Sequence, residues 1–258
     1  VVRFSRLYGT NQTYGGVFHA LSWLSVGFGY FESSLFTDSV SFELTGRPRL
    51  PRTGEGKEGS LRFHFLDNRV EATLTRFTTT SENNSLGLSA AVQTELNTLL
   101  PANQRLLGTG DYRDQSSEGW EFESQINLNR QWTVRATYSM NRTSYGRFFP
   151  LVRPYLALAR EAARAQGLDP DNATALTEQL IDDTEGAVTR IRRETANITT
   201  RYSFTEGRLR GLAIGTSARY AKGKPRAALS SGGVVVLPAT RTDDYVLVNP
   251  FASYRRKL

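Results

Sequence analysis

Between Gly119 and Asn141 the chain reads GWEFESQINLNRQWTVRATYSMN. Trp120, Phe122, Ile126 and Leu128 interleave with Glu121, Glu123, Gln125 and Asn127. After Asn129-Arg130-Gln131, the residues Trp132, Val134, Ala136, Tyr138 and Met140 interleave with Thr133, Arg135, Thr137, Ser139 and Asn141. Period two is the period of a β-strand, whose successive side chains point to opposite faces. The short join makes the two segments a tight hairpin. Each arm reaches about ten residues, against the usual five or six. A tilted strand of about that length crosses a bilayer.

Composition fits this pattern. Of 258 residues only 39% are hydrophobic, low for a globular domain of this size. No apolar run approaches the length of a membrane helix, which excludes a helical span. A membrane β-barrel is not excluded, because its strands need only every second residue apolar. Cysteine is absent, so there is no disulfide framework, thiolate metal site or cysteine nucleophile. The net charge is +7. The basic residues are scattered, not clustered as a nucleic-acid footprint would be, so no nucleic-acid partner is expected. The sequence opens at Val1 without a signal peptide, and is read as a fragment or processed chain.

The hairpin unit recurs. Val1 to Gly9 reads as the end of an earlier strand. Gln12 to His19 pairs with Leu24 to Phe31. Glu58 to Leu66 pairs with Arg69 to Thr79 across Asp67-Asn68, a good turn dipeptide. Arg193 to Phe204 pairs with Leu209 to Lys222 across Glu206-Gly207, and Asp244 to Tyr254 is a final strand. Long connections run over Glu32 to Lys57, Thr80 to Ser117, Thr143 to Arg192 and Gly223 to Asp243. In the second, Ser89 to Leu100 reads as a helix stopped by Pro101. In the third, Tyr155 to Gln166 reads as a helix ended by Gly167, and Asn172 as the cap of another running to about Asp183. In the fourth, Gly232 to Leu237 reads as a small hairpin arm.

Connections therefore alternate short and long, as in an up-and-down meander with turns on one side and loops on the other. Aromatics gather at the strand ends. Trp23, Phe65, Trp132 and Phe204 lie beside the turns; Tyr30, Phe77, Trp120, Tyr138 and Tyr220 lie toward the loops. Two aromatic girdles are expected where a barrel wall meets the membrane interfaces. A β-sandwich also alternates, but explains neither the strand length nor the two belts. The fold class expected is all-β: an antiparallel up-and-down transmembrane β-barrel, incomplete, with about nine long strands and short helices in the long extracellular loops.

Specific stretches carry a family resemblance. PRLPRTGEGKEGSLRFHFLDNRVEATLTRFTT, from Pro48, resembles a passage of the TonB-dependent outer-membrane receptors: a Pro-rich loop, a Lys-Glu-Gly lead-in at Lys57, Glu58 and Gly59, then strand, tight turn and strand. SEGWEFESQINLNRQWTVRATY, from Ser117, resembles a second, and DDYVLVNPFASYRRKL, from Asp243, resembles a late strand. The resemblance implies a barrel of about 22 strands with a plugged lumen. It also implies an N-terminal plug, the TonB energy-coupling complex, outer-membrane lipid and a small-molecule or oligomeric nutrient as partners. No plug sequence or energy-coupling box is seen, so residues 1–258 are read as one C-terminal-half portion of such a barrel, in the outer membrane of a Gram-negative-type bacterium.

The chemistry expected follows from the faces. His64 falls on the polar side between Phe63 and Phe65, whereas a lipase acting on bilayer lipid would need Ser and His on the outer wall; a Ser-His-acid site is not expected. Glu121 and Glu123 suit general acid–base work, but are preferred as wall charges facing Arg62, Arg135, Arg201 or Arg219 across the lumen. These six are the lumen-facing candidates for ligand contact. Asp169, Asp171, Asp182, Asp183 and Glu185 match no calcium loop and are preferred as helix surface charge. Leu156, Ala159 and Ala163 form an apolar helix side expected to pack on other loops. Gly232-Gly233 is turn chemistry. No catalytic residue, metal or cofactor is expected. The function expected is uptake of an unidentified nutrient, such as a siderophore, cobalamin or carbohydrate. The alternative is a non-transporting barrel serving as a surface-binding or adhesion platform.

Overall fold

The computed structural model describes residues 9–36, 42–185, 191–226, 229–231, 234–238 and 240–255. The expectations for residues 1–8, for Gly232-Gly233 and for the last three residues lie outside them. The chain forms β1 (Gln12–Leu21), β2 (Leu24–Leu35), β3 (Arg52–Phe65), β4 (Val70–Gly87), α1 (Ala90–Leu99), β5 (Gly110–Asn127) and β6 (Trp132–Gly146). Then follow α2 (Val152–Ala165), α3 (Pro170–Ala173), α4 (Ala175–Glu185), β7 (Glu194–Ser203) and β8 (Leu212–Ala221). Four short strands, β9 (Pro225–Arg226), β10 (Leu229–Ser231), β11 (Val234–Leu237) and β12 (Thr240–Arg241), form two small ribbons before β13 (Tyr245–Tyr254).

β1 to β8 and β13 make one antiparallel nine-stranded sheet in sequence order. Among the described residues its ends, β1 and β13, do not pair with each other, so the meander is an unclosed portion of a barrel wall. The register carries one face without interruption across the strands. Leu61 faces Leu74, which faces Phe122, then Tyr138, Ala196, Tyr220 and Val246. On the opposite face Arg62 faces Thr73, then Glu123, Thr137, Asn197 and Arg219. The outer set Trp120, Val134, Ala136, Ile198 and Ile214 and the inner set Glu121, Arg135, Thr199 and Arg219 are separated as the alternation predicts.

Among the described residues, no second layer covers the apolar face. Phe28 is 65% exposed, Ile198 50% and Trp120 40%. A sandwich would bury such residues in a core about 10 Å thick; here they form an apolar wall that stands open. Near the turns, Trp23, Phe63 and Phe65 stack, and Trp132, Tyr202 and Phe204 pack edge to face. Near the loops, Tyr14 stacks on Tyr30, and the Arg76 guanidinium lies over Trp120.

Phe77 departs from the expected girdle. It pairs with Glu58 and Gly119, which puts it on the polar face. Its ring fills the space above Gly119, where an added Cβ would meet Phe77 Cζ at 2.7 Å. Phe31 covers Gly56 in the same way. An aromatic ring laid over a glycine shields a stretch of backbone that has no side chain of its own.

Two more features follow from the ladder. The β3–β4 turn puts Leu66, Asp67 and Asn68 at φ of 54°, 53° and 62°; Asp and Asn tolerate this left-handed region. Pro250, mid-way along β13, stands opposite Thr216. Arg255 N donates to Gly211 O at 2.9 Å, so hydrogen-bonded pairs fall at odd-numbered residues of β13 and Pro250 occupies a non-bonded position. Its missing N–H is thereby directed to the sheet's free edge, where proline is tolerated.

Ala136 packs between Ser124 and Ile198 on the apolar face, whereas Asn197 Nδ2 donates to Thr137 Oγ1 at 3.2 Å on the polar one. Ala136→Arg should lower stability in lipid vesicles by about 2–4 kcal/mol, and Thr137→Arg should be tolerated. Ala136→Trp should also be tolerated, because lipid yields where a packed core resists by about 1–3 kcal/mol. Folding yields of the full-length protein decide it: equal damage from Ala136→Trp and Ala136→Arg would place Ala136 in a protein core.

Candidate functional site

The long connections converge at one end of the wall. Leu44 comes from the β2–β3 connection, Leu88, Val92, Leu96, Leu99, Leu100 and Leu106 from β4–β5, and Phe149, Val152, Ala159, Ala163 and Ile181 from β6–β7. They bury one another in a single apolar core, while the short turns lie at the other end.

Each helix has a local reason to form. The Ser89 side chain accepts from Val92 N to cap α1, and the helix stops at Leu100 before Pro101. α2 begins three residues earlier than its apolar spacing suggests, because Pro154 is tolerated in a first turn. It ends with Leu168 N donating to Ala163 O and Gly167 N to Arg164 O, with Gly167 at φ 72°. Asn172 is not a helix cap. Asp169 takes that role for α3, accepting from Asp171 N, and Asn172 Nδ2 donates to Asp169 Oδ2 at 2.8 Å. Leu156, Ala159 and Ala163 pack on the other loops as expected.

Two carboxylates lock the loops to each other and to the wall. Asp111, fully buried on β5, accepts from Val152 N at 2.7 Å and Leu151 N at 3.1 Å, capping α2 from another strand. It also accepts from Tyr112 N at 2.7 Å. Burial raises the Asp111 carboxyl above the ordinary carboxylate value, against the pull of these three donors. Glu95 of α1 accepts from Leu176 N and Thr177 N, both at 2.9 Å, capping α4. A negative charge at a helix N-terminus is favourable there.

Asp111 shares its face of β5 with Gln115, Glu121 and Glu123, by strand alternation. The loop core is therefore anchored to the polar face, and that face is the lumen side. All six sequence-derived candidates lie on it. Arg62, Glu123 and Arg219 share one cross-strand row, and Arg135 lies in the next with Thr199. Glu121 pairs with Thr75 and Ser139, and Arg201 with Thr133 and Gly215. Among the described residues, none of the six forms an ion pair with another; along the sheet, the neighbours of Glu121 and Glu123 are threonines and a serine. His64 lies on this face opposite Glu71.

The acidic loop residues behave as surface charge where they are paired: Asp171 bridges to Arg160 and Glu185 to Arg153. Among the described residues, no cluster of His, Asp and Glu has a metal-holding arrangement.

Sequence reasoning missed the loop-ward part of the lumen face of β2 to β5. There a cavity of about 290 Å³ is lined by Phe31, Ser33, Arg52, Thr79, Gln115 and Ser117. Ser117 Oγ lies 2.7 Å from Thr143 Oγ1 and donates to Asn141 Oδ1 at 2.9 Å. The signal was an excess of Ser, Thr and Gln where the strands continue past the membrane-sized alternation.

The sequence matches no protein-family model and no curated protein. Solved structures do match. The ferripyoverdine receptor of the Pseudomonas aeruginosa outer membrane, bound to ferripyoverdine, covers 95% of this chain and 27% of its own length, with a TM-score of 0.65 at 19% identity. Fiu, the ferric-catecholate import receptor of E. coli K12, covers 96% and 29%, with 0.58 at 16%. FauA, the alcaligin outer-membrane receptor of Bordetella pertussis, covers 95% and 32%, with 0.55 at 14%. The fold is that of a TonB-dependent outer-membrane receptor barrel. The expected outer-membrane barrel architecture is borne out, and the chain spans 27–32% of the length of these receptors.

Asp111→Ala should orphan three N–H donors, two of them buried, at about 1–3 kcal/mol for a lost buried partner. Hydrogen exchange at Leu151 and Val152 should rise, and trypsin on intact cells should cut at Arg153, Arg160 or Arg164. Asp111→Asn, which keeps one acceptor oxygen, should fall between. Unchanged protection in Asp111→Ala would show that the apolar core alone holds the loops.

Proposed function

We propose that residues 1–258 are part of one barrel domain of an outer-membrane receptor that captures a small polar ligand at the cell surface and admits it through the lumen. One observation carries the reading: an apolar wall face is open to lipid, while the opposite polar face is capped at one end by ordered loops. That arrangement leaves a sheltered polar compartment on the loop side. Lipid covers the outside, and a plug domain and the TonB energy-coupling complex are the partners that the fold supports. Arg62, Glu121, Glu123, Arg135, Arg201 and Arg219 line the path below the loops and contact the plug or the passing ligand. The nutrient is a siderophore, cobalamin or carbohydrate-sized molecule.

The test is uptake by intact cells. A deletion strain should lose accumulation of one labelled compound from a panel of ferric siderophores, cobalamin and oligosaccharides. A protonophore should abolish that accumulation in the parent strain while surface binding persists. Binding without energy-dependent accumulation would leave the surface-platform alternative and remove the transport reading.

A further inference from the structure

A second cavity, of about 670 Å³, lies at the opposite end of the wall, where β7, β8 and β13 meet the short turn. Its lining includes Arg201, Arg210, Arg255, Ser203 and Thr205 and contains no carboxylate. Strand parity puts Arg201, Ser203 and Arg255 on the lumen face. Arg201 shares a cross-strand row with Gly215 and Phe251, and Arg255 follows Phe251 by four residues on β13. Arg255 N donates to Gly211 O, beside Arg210 in the β7–β8 turn. Arg201 therefore stands deeper in the lumen, with Arg210 and Arg255 at its rim. Between the backbones of Arg201 and Arg255 the register gives about 13 Å along the strands and about 10 Å across them. All three arginines are exposed, and among the described residues none forms an ion pair. Glu206, in the same turn as Arg210, is absent from the lining and is likewise unpaired among the described residues.

A guanidinium does not lose its proton in a protein, so three of them around one cavity repel one another until an anion enters. A cleft lined by one sign of charge concentrates ions of the other. Thr205 Oγ1 accepts from Gln131 Nε2 at 2.8 Å, which leaves its own proton free to donate. A phosphate group carries about −1.5 to −2 at pH 7, so two phosphates match three guanidinia where two carboxylates fall short. The arginines stand at two levels, which suits a molecule with anionic groups at two points better than a single ion. The volume is that of a small-molecule site. We propose that this cavity binds a small organic molecule bearing two phosphate groups. Arg201 takes the inner phosphate, Arg210 and Arg255 take the outer one at the rim, and Ser203 and Thr205 donate between them. The site rests on the receptor reading for the side of the membrane it faces but not for its measurement.

The experiment is equilibrium binding to the full-length protein in detergent micelles, which requires no transport. The probes are glucose 1,6-bisphosphate, glucose 6-phosphate and glucose, which share a ring and differ in phosphate number, and glucarate, a six-carbon dicarboxylate. The bisphosphate should bind at least about tenfold more tightly than the monophosphate, the scale of one charge-assisted hydrogen bond. Glucose should bind more weakly than either. Arg201→Gln should bring the bisphosphate down to the monophosphate level, and the double change Arg210→Gln with Arg255→Gln should do the same from the rim. Arg164→Gln, which removes the same charge at the loop end, should leave all affinities unchanged. Retained resistance to SDS at room temperature shows that a variant is folded; if the double variant fails this check, the single variants decide. No binding, equal binding of the three sugars, or glucarate binding as tightly as the bisphosphate would each overturn the site. So would an unchanged bisphosphate preference in folded arginine variants, or a loss in Arg164→Gln as large as theirs. Energised uptake of a nutrient without bisphosphate binding would remove the site and leave the receptor reading intact. Bisphosphate binding without energised uptake of any compound would do the reverse.

Discussion

Inside a bilayer, backbone N–H and C=O groups have no water to bond, so each must be paired by the protein itself. A meander of long antiparallel strands meets that demand one neighbour at a time, and every other property of the wall follows from it. Pairing forces side chains to alternate, so lipid meets Leu61, Phe122 and Ile198 while Arg62, Glu123 and Asn197 share the reverse side. Short turns suffice at one end. All longer excursions then collect at the other.

The two ends use different physics. At the turn end, stability comes from stacked and edge-on rings such as Trp23 with Phe65 and Tyr202 with Phe204. At the loop end water is present, and apolar burial drives three connections into one core. β4 and β5 have 18 residues each, where about 9–11 tilted residues cross a membrane. The surplus extends the wall toward the loop core, and its inner face there is polar.

Strand alternation in Gly119 to Asn141 was fully legible, because one face meets lipid and the other does not. It faded in Arg52 to Lys57, Thr80 to Gly87 and Gly110 to Glu118. Those stretches remain strands, but polar residues stand on both faces, as Glu55 and Glu82 do on one and Arg52 and Gln115 on the other, and hydrophobic contrast disappears. The six lumen candidates could be placed on a face from sequence, but their partners could not: pairing across a sheet depends on register. Phe77 was misplaced because its proximity to a girdle said nothing about its face. The caps supplied by Asp111 and Glu95 join residues about 40 and 80 positions apart, and local capping rules do not reach that far. The lumen cavity stayed hidden for the same reason: its lining comes from β2 to β5.

Pro250 has a consequence for whatever strand lies along the free edge of β13. A regular neighbour would bring a carbonyl opposite it and find no donor. Within hydrocarbon that oxygen could not turn to water instead. A neighbour on that edge would thus have one carbonyl without a donor at that level. Pro250 therefore makes the two edges of β13 unequal: the ladder to β8 is complete, and the outer edge lacks one donor at its middle.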